Sequence, residues 1–559
     1  MKFRFAFLFS FCGILLLFLF SGCGKMYKRF FGRESIVQDS SIYSNLDYSD
    51  LILDSASIVH YIAKDTALEV FSEDILAFYS RRNFQSAWFT NNSMSNSTDA
   101  FFSTLNDYQI NFEDASLARP ALISLWNQAK ADSNFFAKNS EERLRFELGL
   151  TSTFFQYAQK AYFGTDKNPK DLEWFIPRKK KDYQHLLDTL VQSPTSYQIN
   201  EPVNDYYRHL KSALITYRAI EKQGGFPVVQ YVKGLRKGDS SEHIPLLKLY
   251  LVNTKDLLEN DSSTMFTDSL YSALKSFQSR MGLRATGIPD SLTIREMNVP
   301  IRQRIRQIML NMERLRWIPE QAPDNYFLVN IPEYRLHIFE NKQYQWSMNV
   351  VVGKTATATS IFSGNLSVVG FCPYWNVPQS IIKNEMLPKL KVNPGYINKN
   401  NLEVLKNGKP INPYSVSWSK YKTGVPFVIR QKPGPSNALG LVAFYFPNSY
   451  DIYLHDTPAK SFFGETNRAF SHGCIRLSEP EKLAQYVFRN DSTLSADSIH
   501  VLMNQHKEKK VRVKPSIPVF IGYFTAWVDH TGKLNFRHDI YGLDTKLERE
   551  VFGTEKLMQ

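Results

Sequence analysis

Cysteine is scarce in this chain: four in 559 residues, at positions 12, 23, 372 and 474. Two of these fall within the first 23 residues, and the remaining pair cannot make a disulfide framework, so a stapled miniature fold is excluded. Internal repeats and sustained low-complexity tracts are also absent, which excludes solenoid and array architectures. No dense Lys/Arg block carries interleaved aromatics. The one short basic run, Arg178 to Lys181, reads as a solvated loop. The formal net charge of +13 therefore points away from nucleic acid and towards lipid head groups or an acidic polymer. What is plentiful is core material: 43% hydrophobic residues, with 29 Tyr and 41 Phe. A chain this long exceeds one compact domain and implies three or more folded units.

The N-terminus carries an export pattern. Lys2 and Arg4 supply positive charge, Phe5 to Phe20 is apolar apart from Ser10, and Ser21-Gly22-Cys23 follows. A Cys directly after Ser-Gly resembles the lipobox of bacterial lipoproteins, with Phe20 where Leu is usual, and makes Cys23 the candidate lipid attachment point. The apolar run is also long enough to span a bilayer uncleaved. Either reading puts the remaining chain on the periplasmic side of a cell envelope, anchored to a membrane. A free cysteine kept in an exported protein needs a reason, and a catalytic thiol is one.

Composition and periodicity divide the chain. Residues 1–22 are the export segment, and residues 23–60, rich in Ser, Asp and Tyr, are a tether. A helical region over 61–225 shows an apolar stripe at Leu144, Leu148 and Phe155. In 226–300, Leu270, Leu274, Phe277 and Met281 share one helix face, and Gly282 stops that helix. A connecting helix over 301–323 has an apolar stripe from Ile301 to Leu315, and its arginines read as a solvated face. Strand texture begins near Tyr326, giving a mainly β domain over 324–510 with Asn341-Lys342 at a turn. A segment rich in Pro and Gly, about 380–450, reads as a lid over it. Residues 511–559 form a C-terminal β extension with a turn at Asp529-His530-Thr531-Gly532.

The chemistry concentrates in two short stretches, Tyr453-Leu454-His455-Asp456-Thr457 and Ser471-His472-Gly473-Cys474-Ile475-Arg476. A free thiol is only slightly ionised at neutral pH, and a neighbouring imidazole can take its proton during attack. Gly473 lets backbone approach without a Cβ, and the amides of His472, Gly473 and Cys474 are candidate donors to an oxyanion. Ser478-Glu479-Pro480-Glu481 reads as a capping box opening a helix after the loop. The alternatives are a buried structural thiol at Cys474, or zinc held by His455, His472 and Cys474, for which a fourth ligand of ordinary spacing is missing. Cys372 reads as a packed small residue, and His337, His530 and His538 as ordinary surface or core residues.

The two stretches together, with His455 preceding His472 by 17 positions, resemble the catalytic signature of the L,D-transpeptidase (YkuD-type) family. Trp375-Asn376-Val377-Pro378, Gln431 to Gly440 and Ile452 to Pro458 resemble its large YcbB-like subgroup. Phe277, Gln278, Gly282, Leu283, Gly287, Thr293 and Asn298 resemble the peptidoglycan-binding domain 1 family. The resemblance implies a multidomain α+β protein: a helical scaffold, a small three-helix peptidoglycan-binding-like domain and a mainly β catalytic domain with a capping subdomain. It implies Cys474 as nucleophile, His455 as base, and the Asp456 backbone carbonyl as the group orienting His455, with the Asp456 side chain a competitor for that job. Candidate substrate contacts are Ser471, Arg476, Tyr453, Trp375 and Asn437; Arg476 stands where the commonest family pattern has Asn. No metal or organic cofactor is implied. The expected partners are peptidoglycan stem peptides and a membrane, and the chain is expected to be a monomer. The expected reaction is a 3→3 cross-link made through a cysteine thioester, with acylation by carbapenems. A hydrolase of the same family, a wall-attachment transferase and a non-catalytic wall-binding protein are the alternatives.

Overall fold

A computed structural model describes residues 49–90, 93–178, 181–192 and 201–553. The export segment, Cys23 and nearly all of the tether lie outside the described residues. The tether ends earlier than its composition implies. Ser49 and Leu53 are buried, and the helix Ser55–Lys64, capped by the Asp54 side chain, buries Ile58 and Ile62. No helix among the described residues is long and apolar enough to cross a membrane.

The chain divides into two compact units. Over the described residues the first comprises 49–90, 93–101, 119–155 and 184–192. Its core is aromatic: Trp88 stacks on Phe101, and Phe89 packs edge to face on both Phe136 and Phe146. Glu147 is buried there and accepts from Tyr79 Oη, Ser86 Oγ and the amides of Ala87 and Trp88 at 2.6–3.2 Å. Four donors satisfy a carboxylate that would otherwise be costly to enclose. Its role is therefore structural.

The second unit comprises, over the described residues, 102–118, 156–178, 181–183 and 201–553. It contains the three-helix element, with helices Ile244–Asn253, Asp268–Arg280 and Ser291–Met297. The long helix ends as its sequence predicts, with Gly282 at φ +72. Gln278 is buried, donating to Ile288 O at 2.8 Å and accepting from Gly287 N at 2.8 Å. Asn298 exchanges two bonds with the Val229 backbone. The motif residues Gln278, Gly287 and Asn298 thus hold this fold together.

The connecting helix Ile301–Arg316 corrects the expectation of a solvated arginine face. Arg304, Arg314 and Arg316 are buried and ion-paired with Glu296, Asp544 and Glu313. Only Arg302 has a largely exposed side chain. Arg178 likewise packs over the Phe163 ring instead of lying in solvent.

The β domain closes on itself. Its strands are β1 Tyr326–Asn330, β2 Arg335–Glu340, β3 Gln343–Gly353, β4 Phe362–Phe371, β5 Trp375–Asn376, β6 Leu402–Lys406, β7 Lys409–Ile411, β8 Val428–Gln431, β9 Val442–Tyr445, β10 Leu454–His455, β11 Ala469–Ser471, β12 Ile475–Leu477, β13 Lys509–Gly522, β14 Ala526–Val528 and β15 Leu534–Phe536. The ring runs β3–β12–β10–β9–β4–β13–β1–β2 and back to β3, with β11 added alongside β3. Asn341 and Lys342, both at positive φ, make the β2–β3 turn that the sequence predicts. β13 lies between β4 and β1, so the C-terminal stretch is an integral stave and not an extension laid on a finished domain.

The capping segment is narrower than 380–450. It runs from β5 to β8, and β9 already belongs to the ring. It has its own antiparallel sheet, ordered β5–β8–β6–β7, and its own core around Ile382, Leu390, Val404, Trp418 and Ile429. An independent core makes it a subdomain rather than a loop.

Candidate active site

The site is built where two short parallel strands meet. β10 and β12 pair with Leu454 opposite Ile475 and His455 opposite Arg476, and the Ile475 amide donates to Tyr453 O at 3.1 Å. Alternation then sorts the side chains. Leu454, Ile475 and Leu477 are fully buried on one face. Tyr453, His455, Cys474 and Arg476 share the other. The register thus brings His455 and Cys474 onto one face of neighbouring strands.

His455 is 5% exposed, and its Nδ1 lies 2.5 Å from the Asp456 carbonyl oxygen. A carbonyl can only accept, so Nδ1 carries the proton and Nε2 presents a lone pair. Burial pushes the imidazole down to about 4, with the Arg476 charge adding to the effect. The Asp456 carboxylate does not compete for the ring. It accepts from Leu441 N at 2.9 Å and Thr457 N at 2.7 Å, and pairs with Lys460 Nζ at 2.5 Å.

Cys474 follows Gly473, whose φ of +118 needs a glycine. Enclosure pushes the thiol up to about 11, against hydrogen bonds from Tyr453 that favour the thiolate. Its Sγ donates weakly to Asp451 O at 3.5 Å. The resting pair is therefore a neutral thiol and a neutral imidazole. The loop before Cys474 is pinned by groups that the sequence alone does not single out. Thr359 Oγ1 donates to Gly473 O at 2.7 Å, and Thr357 Oγ1 to Ser471 O at 3.0 Å. A threonine run after a strand that ends in glycine is the available signal.

Several expected contacts take other roles. Ser471 is 2% exposed; it donates to Cys474 O at 2.5 Å and accepts from Gly473 N at 3.1 Å. It shapes the loop and does not face substrate. The same bond removes the Gly473 amide from the oxyanion donors, leaving those of His472 and Cys474. Asn437 is fully buried and donates to the carbonyls of Pro373, Gln431 and Lys432, so its amide is spent on fixing the stem of the capping subdomain. Trp375 packs against the capping core. No side-chain cap bond forms at Glu479, so the expected capping box is absent, although Pro480 does open the helix Pro480–Val487. Cys372 is buried, its Sγ donating to Met503 O at 3.0 Å.

Arg476 remains facing the site. Its Nε is buried without a hydrogen-bond partner, and among the described residues no carboxylate pairs with it. An unpaired guanidinium beside the thiol is suited to receive an anionic ligand group.

Three parts of the chain match known protein families. Residues 324–497 match the L,D-transpeptidase catalytic domain (YkuD), residues 73–214 a scaffold domain, and residues 241–297 a putative peptidoglycan binding domain. A putative L,D-transpeptidase from Haemophilus influenzae is 34% identical over 243 residues, covering 43% of this chain and 49% of the relative. The chain thus spans about half the length of that curated relative. Among solved structures, an L,D-transpeptidase from Mycobacterium smegmatis is 14% identical, covering 36% of this chain and 58% of its own, with a TM-score of 0.19. One from Stackebrandtia nassauensis is 14% identical, covering 53% and 97%, with a TM-score of 0.22.

Proposed function

From a chain that carries a YkuD-type L,D-transpeptidase catalytic domain and a peptidoglycan-binding-type domain, we propose a cysteine acyltransferase that makes 3→3 cross-links in peptidoglycan. The observation that carries this reading is the β10–β12 register, which sets His455 and Cys474 on one face with His455 oriented by the Asp456 carbonyl.

The chemistry runs in two halves. Cys474 Sγ attacks the carbonyl of the third residue of a donor tetrapeptide while its proton passes to His455 Nε2. The amides of His472 and Cys474 and the Tyr453 hydroxyl are the donors available to the oxyanion. The C–N bond to the terminal D-alanine breaks, and the leaving nitrogen takes the proton back from His455. In the second half an acceptor amine attacks the thioester, a C–N bond forms, the C–S bond breaks, and the thiolate recovers a proton. With both resting groups neutral, proton transfer accompanies attack, because a free ion pair is strongly uphill in an enclosed site. Arg476 receives a stem carboxylate. The capping subdomain limits water, which would otherwise hydrolyse the thioester.

Intact-protein mass spectrometry with a carbapenem tests the first half: one covalent adduct is expected on the wild type and none on Cys474→Ser. Failure of the wild type to acylate would overturn the reading. Incubation with purified disaccharide-tetrapeptide tests the second half. Cross-linked dimer is expected, whereas free tripeptide without dimer would assign a hydrolase. The proposal extends to location: the enzyme works on the wall side of a membrane that holds its N-terminus, a reading supported by the export pattern of the first 23 residues.

A further inference from the structure

A carboxylate of the capping subdomain reaches the catalytic loop. Glu385 Oε1 lies 2.8 Å from His472 Nε2, two residues before the nucleophile. Among the described residues Glu385 has no other such side-chain partner. Both side chains are about half exposed, at 49% and 40%, so the carboxylate stays open to solvent on its other side.

The way Glu385 is mounted sets it apart from a chance surface contact. It lies in Ile382–Met386, a π-helical turn inserted between the helical stretches Gln379–Ile381 and Leu387–Val392. Such turns are uncommon and concentrate at functional sites, because they re-aim side chains. Ile382 and Met386 on the same turn are buried in the capping core, which fixes the turn. Glu385 is also the sole acid between Gln379 and Val392, a stretch with three lysines, Lys383, Lys389 and Lys391. A net basic helix therefore presents its one negative charge to the loop that carries Cys474.

We propose that Glu385 is the docking carboxylate for the acceptor amine, and so a specificity-determining residue for the second half of the reaction. This rests on the acyltransferase reading above. An amine acceptor arrives as an ammonium at neutral pH, and a carboxylate held above the loop attracts and orients it. Arg476, on the sheet side of the same loop, is left for carboxylate groups. The docked ammonium sheds one proton to solvent, and its neutral nitrogen attacks the thioester carbonyl as His455 takes a second. The C–N bond forms, the C–S bond breaks, and His455 returns that proton to the departing thiolate. Water needs no such docking, so Glu385 tilts the partition towards transfer.

The test compares two acceptors on the full chain acylated by a disaccharide-tetrapeptide: 1,4-diaminobutane, cationic at neutral pH, and hydroxylamine, mostly uncharged there. In Glu385→Gln the ratio of diamine transfer to hydroxylamine transfer is expected to fall about fivefold, the upper range for an accessible charge pair, and in Glu385→Lys further. Added salt is expected to lower the wild-type ratio and to leave the Gln variant's ratio nearly flat. An unchanged ratio in both variants overturns the proposal, whatever the absolute rates, because a merely structural role for Glu385 would move both acceptors together. Carbapenem acylation of Cys474 is read in the same samples. A wild type that acylates yet transfers to neither amine would remove the acyltransferase reading and this proposal with it.

Discussion

The Asp456 residue serves His455 with its backbone and the segment leading into β9 with its side chain. Its carbonyl oxygen lies 2.5 Å from His455 Nδ1, while its carboxylate accepts the Leu441 amide at 2.9 Å. Gly440 makes this possible, since a Cβ there would fall 2.3 Å from Asp456 Oδ2. Removing the side chain leaves the carbonyl in place but strands the Leu441 and Thr457 donors. Asp456→Ala is therefore expected to cost about 1–3 kcal/mol of stability, read by denaturant unfolding. It should retain far more Cys474 acylation than His455→Ala. Equal loss of acylation in the two variants would show that the carboxylate, and not the carbonyl, sets the imidazole.

The buried imidazole makes stability depend on pH. Its value in the fold, about 4, lies below the ordinary 6.5. Between those values the unfolded chain binds a proton that the folded chain refuses, so stability falls as pH drops through this window and is unaffected above it. The full loss amounts to about 3 kcal/mol at the acid end. Unfolding free energies of the wild type and His455→Gln are expected to keep a constant difference above about pH 6.5, and the wild type to lose up to about 3 kcal/mol relative to the variant as pH falls towards 4. Parallel curves would refute the neutral buried imidazole.

Cys474 offers a kinetic counterpart. With its thiol pushed up to about 11 by enclosure, the empty site holds very little thiolate at neutral pH. Alkylation by iodoacetamide is therefore expected to be slow at pH 7 and to keep rising beyond pH 9. His455→Ala should leave that profile nearly unmoved while abolishing acylation by a carbapenem, because the imidazole acts during attack and does not store an ion pair. An alkylation profile with a midpoint near pH 6 that disappears in His455→Ala would instead establish a resting thiolate–imidazolium pair.

How far these features are legible in the sequence follows from their range along it. His455, Cys474 and the Asp456 carbonyl lie in two contiguous stretches whose residue types dictate their chemistry, and Gly282 ends a helix by local backbone preference. Thr357 and Thr359 give no such sign, because they reach the Cys474 loop from more than a hundred positions away. Asn437 and Ser471 mislead for the converse reason. A polar residue near a motif serves equally to bind ligand or to satisfy backbone, and only burial with all bonds spent separates the two uses. β13 reads as an appendage because strand texture at a C-terminus carries no record of its partners, β4 and β1.

The arginines of the connecting helix mark the same limit and give a stability test. A charge run usually lies in solvent, which is where the sequence puts Arg316. It is buried instead, donating to Ala161 O at 2.8 Å and Tyr207 Oη at 3.1 Å, and pairing with Glu313 at 2.5 Å. Glu313 in turn accepts the Thr165 amide at 2.7 Å and Trp317 Nε1 at 3.2 Å. Charges enclosed this way are tolerable only while every partner is present. Arg316→Ala alone strands a buried carboxylate, and Glu313→Ala alone a buried guanidinium. Each is expected to cost about 3–5 kcal/mol. The double variant should cost clearly less than the sum, because it strands neither charge. Urea unfolding of the four proteins closes the cycle. Additive losses would mean that the two side chains stabilise the fold separately, through their other hydrogen bonds, and that their pairing contributes little.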